Sequence, residues 1–144
     1  MAQITFYLIW IFIIFGVVIT KELILISHGN FCVELKKSIE MIMGPQENIY
    51  AIGLMPGEGP EEFKHKFNSL TESFNDFVVF ADLMGGTPCN TVAGLLMEGD
   101  KEFDLYAGMN MPMIISYINS EIVNEKLNIV EDAKNGVIHI NEVI

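Results

Sequence analysis

The sequence predicts a three-layer α/β/α fold built on a doubly wound, mostly parallel sheet of order 2-1-3-4, with a carboxyl-terminal edge strand. Three observations carry this. Short, continuously apolar runs such as Leu23–Ile26 and Phe77–Ala81 suit central strands covered on both faces. Longer stretches with helical periodicity alternate with them, the pattern of a parallel sheet whose crossovers are helices. No internal repeat or low-complexity linker interrupts that alternation.

The elements follow in order. A strand at 22–27 is broken by Ser27, Gly29 and Asn30, and a helix follows over about 31–43, stopped by Gly44-Pro45. Asn48–Leu54 reads as a second strand. The loop Met55-Pro56-Gly57-Glu58-Gly59-Pro60 leads into a helix at Glu61–Phe74, with Pro60 at or next to its first turn. Phe77–Ala81 is the third strand, followed by Asp82-Leu83-Met84-Gly85-Gly86-Thr87-Pro88 and a helix from about Cys89 to Glu98. Phe103–Ala107 is the fourth strand, Gly108–Pro112 a loop, and Met113–Ile122 the fourth helix. A last helix near Asn124–Lys134 and a strand at Val137–Ile140, after Asn135-Gly136, complete the chain.

At 144 residues this is one domain by length. The chain is 51% hydrophobic with a net charge of −11. Such a charge cannot neutralise a phosphate backbone, so nonspecific nucleic-acid binding is excluded. Cys32 and Cys89 form no CxxC pair and read as free thiols of a reducing cytosol. Cys, His and acidic residues adopt no metal-site spacing, so neither a metal nor a bound cofactor is expected.

The domain proper spans 20–144, preceded at 1–19 by a hydrophobic leader. Ile4–Ile19 is broken only by Thr5 and Gly16, and its sixteen residues fall slightly short of the about 17–25 that span a bilayer. No Lys or Arg precedes the run and no small-residue cleavage site follows it, which argues against a secretory signal. Three readings stay open: a dispensable upstream start, a membrane tether, or an extra element packed on the domain. Were the segment inserted, Lys21 would keep the domain on the cytoplasmic side. The expected location is therefore cytoplasmic, with membrane association through partners or through residues 4–19.

Right-handed crossovers bring the four strand-to-helix loops to one edge of the sheet, where ligands of open α/β sheets bind. His28 and Asp82 stand there at the ends of the first and third strands, neighbours in the predicted order. A carboxylate facing an imidazole binds one ring N–H, fixes the tautomer and leaves the other nitrogen as a nucleophile. Equally, Asp82 could cap the next helix or brace the glycine turn. Gly85-Gly86-Thr87-Pro88 favours the first reading. Two glycines allow close backbone approach, and Pro88 at a helix start leaves free N–H groups beside a hydroxyl, a setting suited to a phosphoryl group. The segment lacks the Gly-Lys-Ser/Thr of a Walker loop, and no GxGxxG follows the first strand.

Ile26-Ser27-His28-Gly29, Pro56-Gly57-Glu58, Ala81–Asn90 and Ala107–Met113 together resemble the IIA domain of mannose-type (mannose/fructose/sorbose) sugar phosphotransferase systems, in order from about Thr20 to the end. The resemblance implies a bacterial phosphocarrier that is a homodimer, often with a carboxyl-terminal strand exchanged between subunits. It implies that His28 accepts phosphoryl from HPr and passes it to a IIB component, which phosphorylates sugar during transport through IIC and IID. Asp82 becomes the partner carboxylate, while Thr87 and the amides around Gly85 and Gly86 match the position that holds the phosphoryl oxygens. The resemblance places the phosphoryl on Nε2, with Nδ1 oriented by Asp82. The leader departs from the family pattern, as do Leu83-Met84, which replace more polar or aromatic residues of some members.

Two alternatives are carried. The same chemistry serves the phosphoryl-donor subunit of dihydroxyacetone kinase, which the absence of additional phosphocarrier domains disfavours. A flavin- or nucleotide-binding module of flavodoxin type shares the fold class but lacks its phosphate-loop glycines here. A tethered copy without activity is disfavoured by the presence of His28 and Asp82. Among other candidates, His65 lies in a charged helix and is expected to face solvent; His139 is an outward strand position, at the dimer contact if one forms. Met109, Met111 and Met113 read as packing, and Glu58, Glu61 and Glu62 as a solvated face.

Overall fold

Leu23, Ile24, Leu25 and Ile26 are all fully buried, because the strand that carries them, β1 (Glu22–His28), lies in the middle of the sheet. The computed structural model describes residues 21–123 and 128–144; the leader expected at 1–19 lies outside the described residues. β1 is followed by α1 (Phe31–Met43), β2 (Ile49–Leu54), α2 (Pro60–Thr71), β3 (Phe77–Ala81), α3 (Thr87–Glu98), β4 (Asp104–Ala107), α4 (Met111–Val123) and α5 (Ile129–Asn135). The sheet has the order β2-β1-β3-β4 and every pairing is parallel, as the alternation of elements predicts.

Two cores follow from the period-2 geometry of the strands. Leu23 and Leu25 of β1, with Val78 and Phe80 of β3, face Cys32, Leu35 and Ile39 of α1 and Met113, Ile114 and Tyr117 of α4. Ile24 and Ile26, with Phe77, Val79 and Ala81, face Phe63 and Phe67 of α2 and Cys89 and Val92 of α3. Helices therefore cover both sheet faces, and both sets of side chains on each central strand are apolar. Burial pushes the Tyr117 phenol above its ordinary range, and its hydroxyl donates to the Lys21 carbonyl at 3.2 Å. Phe67 is fully buried against the rings of Phe77 and Phe103, centroids 6.3 and 5.9 Å away. Its replacement by alanine is expected to destabilise the fold by about 3–5 kcal/mol, read from the urea midpoint at constant slope.

Several boundaries differ from the sequence reading. The second helix ends at Thr71, short of Phe74. Lys101 donates to both the carbonyl and the hydroxyl of Thr71, closing the helix end. Phe74 is apolar because it packs against Tyr50 and Phe77, centroids 5.0 and 6.2 Å away, rather than because the helix continues. The third helix begins at Thr87, and Pro88 is its second residue. The fourth begins earlier, at Met111, where Asn110 Oδ1 accepts from the Met113 amide at 2.9 Å. α5 begins at Ile129, and residues 124–127 of the last expected helix lie outside the described residues.

The expected strand at Val137–Ile140 is not formed, and the sheet of the described residues has four strands without a carboxyl-terminal edge strand. Gly136 lies so close to Pro112 that an added Cβ would come within 2.3 Å of its ring, and the Val137 amide bonds the Lys134 carbonyl at 3.0 Å. This turn sends the tail along the surface to a 3-10 turn at Ile140–Glu142. Val137 and Ile138 are 79% and 55% exposed. An alternating pattern specifies a face to bury but supplies no edge to pair with, and among the described residues the tail meets none. His139 is accordingly no strand residue; it is exposed, with Nδ1 2.9 Å from Glu142 Oε1.

Candidate functional site

The site begins with the way β1 ends. Gly29 adopts φ +55°, turning the chain out of the strand, and its amide donates to the Leu54 carbonyl at 2.8 Å. Ser27, fully buried, ties the turn from within: its hydroxyl accepts from the Cys32 amide at 2.9 Å and donates to the Gly29 carbonyl at 3.3 Å. His28 is thus the last strand residue rather than a loop residue, a difference of one position from the sequence reading.

Asp82 stands immediately past β3, and its amide donates to the Ile26 carbonyl at 3.0 Å, which keeps it in step with β1. Its carboxylate accepts three hydrogen bonds. Oδ2 takes the His28 amide at 2.9 Å and His28 Nδ1 at 2.8 Å, while Oδ1 takes the Leu83 amide at 2.8 Å. An aspartate carboxylate only accepts, so this network assigns the ring proton to Nδ1 and leaves Nε2 with its lone pair in the neutral ring. The His28 side chain is 48% exposed and that of Asp82 15%: the carboxylate sits behind the ring, and the ring faces outward.

The glycine turn backs onto the imidazole. Gly85 has φ +81° and closes a turn in which the Gly86 amide donates to the Leu83 carbonyl at 3.2 Å. A Cβ on Gly86 would lie 2.6 Å from His28 Cε1 and 3.3 Å from Nε2. Gly86 therefore contributes by close approach, and its own amide is turned onto Leu83. It is also the N-cap of α3, where no side chain caps the helix. The first amides of a helix have no intrahelical partner, so the α3 amino terminus, starting at Thr87, offers N–H groups and a positive dipole end beside the ring. Asn90, which closes the Ala81–Asn90 stretch but received no role of its own from the sequence, donates through Nδ2 to the Gly85 carbonyl at 2.9 Å and steadies the turn. An asparagine one turn into a helix after Gly-Gly is a signal that could have marked it.

The remaining candidates fall elsewhere. Met109 and Met113 are buried in the core on the α1 side, Met111 packs against it, and the Gly108 and Met109 amides both donate to the Ala81 carbonyl at 3.0 Å. Phe31, Leu83 and Met84 are exposed beside the site. His65 is exposed on α2. Glu62 Oε2 accepts from the Gly59 amide at 2.9 Å and caps α2, and Glu61 is exposed on the same helix. Glu58 is no free surface charge: Oε2 accepts from the Met55 amide at 2.8 Å and from Lys66 Nζ at 2.6 Å. The Lys66 bond, followed by that from Met55, holds its carboxyl below the usual glutamate range. Burial raises the Cys32 thiol above its ordinary value, and both cysteines are buried and unpaired. Among the described residues, no helix is long and apolar enough to cross a membrane.

Residues 22–135 match the family model described as the PTS system fructose IIA component. The chain is 30% identical over 101 residues to the PTS system fructose-specific EIIA component of Bacillus subtilis (strain 168), covering 68% of each chain. It is 31% identical over 100 residues to the PTS system mannose-specific EIIAB component of Escherichia coli (strain K12), covering 67% of this chain and 30% of that longer one. Among solved structures, phosphotransferase system component EIIA from Streptococcus agalactiae superposes with a TM-score of 0.76 at 25% identity, over 84% of this chain and 98% of that one.

Proposed function

The chain belongs to the fructose- and mannose-type IIA family of the phosphotransferase system, and from that premise we propose that it is a phosphocarrier which takes phosphoryl from HPr on His28 Nε2 and gives it to a IIB component. The observation that carries this reading is the orientation of one ring. Asp82 Oδ2 holds Nδ1 at 2.8 Å, so the lone pair of Nε2 is the one presented to a partner, beside Gly86 and the start of α3.

The step is a transfer between two imidazoles. The Nε2 lone pair attacks phosphorus in line, the bond between phosphorus and the donor ring nitrogen breaks, and its electron pair returns to the donor ring. His28 then carries phosphoryl on Nε2 and a proton on Nδ1, a cationic ring that the Asp82 carboxylate neutralises directly. The transferred group develops charge on its equatorial oxygens, where the α3 amino terminus and the Thr87 hydroxyl are suited to hold it. Little covalent machinery is needed beyond positioning and charge stabilisation. Transfer onward to IIB reverses the same geometry, and sugar is met only downstream, where IIB phosphorylates it during transport through IIC and IID. A homodimer accounts for the exposed apolar tail, since Val137 and Ile138 would find a pairing edge on a second copy.

The test is incubation of the purified protein with enzyme I, HPr and labelled phosphoenolpyruvate. Label that is acid-labile and alkali-stable, mapped by mass spectrometry to the peptide carrying His28, is the expected result. An unlabelled protein beside a relay proven active on a known acceptor would overturn the reading.

A further inference from the structure

We infer that Lys66 and Glu58 are positioning residues for His28, acting through the contact of Gly53 with Gly29. The inference rests on the phosphocarrier reading for its rate measurement but not for its spectroscopic one.

Lys66 Nζ donates to the Gly53 carbonyl at 2.7 Å and to Glu58 Oε2 at 2.6 Å, and that same oxygen accepts from the Met55 amide at 2.8 Å. One ammonium and one carboxylate oxygen thus fasten together the end of β2, the loop beyond it and α2. The pair is only partly exposed on either side, so it is less screened than an ordinary surface bridge.

What it fastens is the wall behind the histidine turn. Ser27 pairs with Gly53 and His28 with Leu54 in the register of β1 and β2. A Cβ on Gly53 would fall 2.0 Å from the Gly29 carbonyl oxygen and 2.9 Å from its carbon, so the turn after His28 rests on the bare α-carbon of Gly53. The backbone of His28 is therefore held between two supports. On one side Asp82 takes its amide and ring; on the other the end of β2 takes the Gly29 amide through Leu54 and bears the Gly29 carbonyl on Gly53. Lys66 fixes that second support. If Gly53 withdraws, Gly29 follows, and the Nδ1–Asp82 bond lengthens or tilts. Because one Glu58 oxygen takes both bonds, a glutamine carbonyl could accept the same two donors, and the inference assigns the positioning role to that oxygen's geometry.

Four variants test this: Lys66→Met, Glu58→Ala, Glu58→Gln and, as a surface control, Lys37→Met, whose ammonium pairs with Glu34 on exposed α1. In ¹⁵N-labelled protein the ring Nδ1–H resonance of His28 is expected to shift or vanish in Lys66→Met and Glu58→Ala, and to stay in place in Glu58→Gln and Lys37→Met. The maximal rate of His28 phosphorylation at saturating HPr should fall about tenfold to a hundredfold in the first two, with KM for HPr unchanged, since a misplacement of about 1 Å can cost this much. An unmoved ring resonance in both disruptive variants overturns the inference, as does a loss confined to KM, which would make Lys66 a docking residue. Glu58→Gln behaving like Glu58→Ala also overturns it, because the charge would then be what matters. Should Lys66→Met fail to fold, the two Glu58 variants give the same comparison. A wild type that takes no phosphoryl defeats the phosphocarrier reading, and the ring resonances still decide the inference.

Discussion

Asp82→Asn is expected to slow phosphoryl transfer through His28 by about 10³–10⁴-fold, against complete loss in His28→Ala as the zero of the scale. The magnitude follows from counting donors. Asp82 accepts from three N–H groups, two on Oδ2 and one on Oδ1. An asparagine amide has one accepting oxygen and one donating NH₂, where the carboxylate has two accepting oxygens. With its oxygen toward His28, its NH₂ opposes the Leu83 amide; with its oxygen toward Leu83, its NH₂ opposes the His28 amide and meets the ring at Nδ1. The second arrangement draws the ring proton to Nε2, which removes the nucleophilic lone pair. Either arrangement also withdraws the negative charge that balances a phosphorylated, Nδ1-protonated ring. Single-turnover transfer from phosphorylated HPr, followed by rapid quench, reads the effect. A rate within about tenfold of wild type would show that Asp82 only braces the turn, since tautomer control alone is worth far more.

Gly86→Ala carries the second-largest effect. The added methyl would sit 2.6 Å from His28 Cε1, a distance no pair of non-bonded carbon atoms tolerates. Gly86 has φ −73° and ψ 157°, an ordinary extended conformation that alanine adopts freely, so the backbone itself is not strained. The clash must be relieved by the ring, because its outer side faces solvent. Swinging outward breaks the 2.8 Å bond to Asp82. Transfer is expected to fall by about 10²-fold or more while the melting temperature changes little. Gly85→Ala should differ: at φ +81° with nothing within 4 Å of its would-be Cβ, it strains the backbone and spares the ring. Equal activity in Gly86→Ala and wild type would mean that the turn moves instead, and that its contact with the ring is not used.

The comparison of sequence with structure divides along a physical line. The apolar runs of β1 and β3 were legible because burial on both faces leaves no room for a polar position, so their extent and order followed. That His28, Asp82 and the Gly-Gly turn come together was legible because topology alone brings strand ends to one edge. Phe74 misled because apolar character does not distinguish the continuation of a helix from packing beneath it. The tail misled because alternation describes a strand without a partner edge. The Lys66–Glu58 pair is invisible in the sequence: Glu58 reads as part of a solvated face and Lys66 only as one charge of a charged helix, and the Gly53 carbonyl that Lys66 reaches lies thirteen residues away. Nothing in a linear pattern states which backbone carbonyl a lysine will reach.

One consequence lies in where the histidine hangs. The four residues before it are sealed between two layers of helices, and the turn after it is pinned by Ser27. The imidazole is a fixed mooring rather than a swinging arm. On the proposed reading, a relay built this way has its travelling parts outside the molecule: HPr would have to arrive, align and leave before the IIB component takes its berth, and the two would come in succession to a single quay. On that reading, the traffic through such a carrier is governed by how quickly visitors exchange, and crowding by one of them would hold up the other.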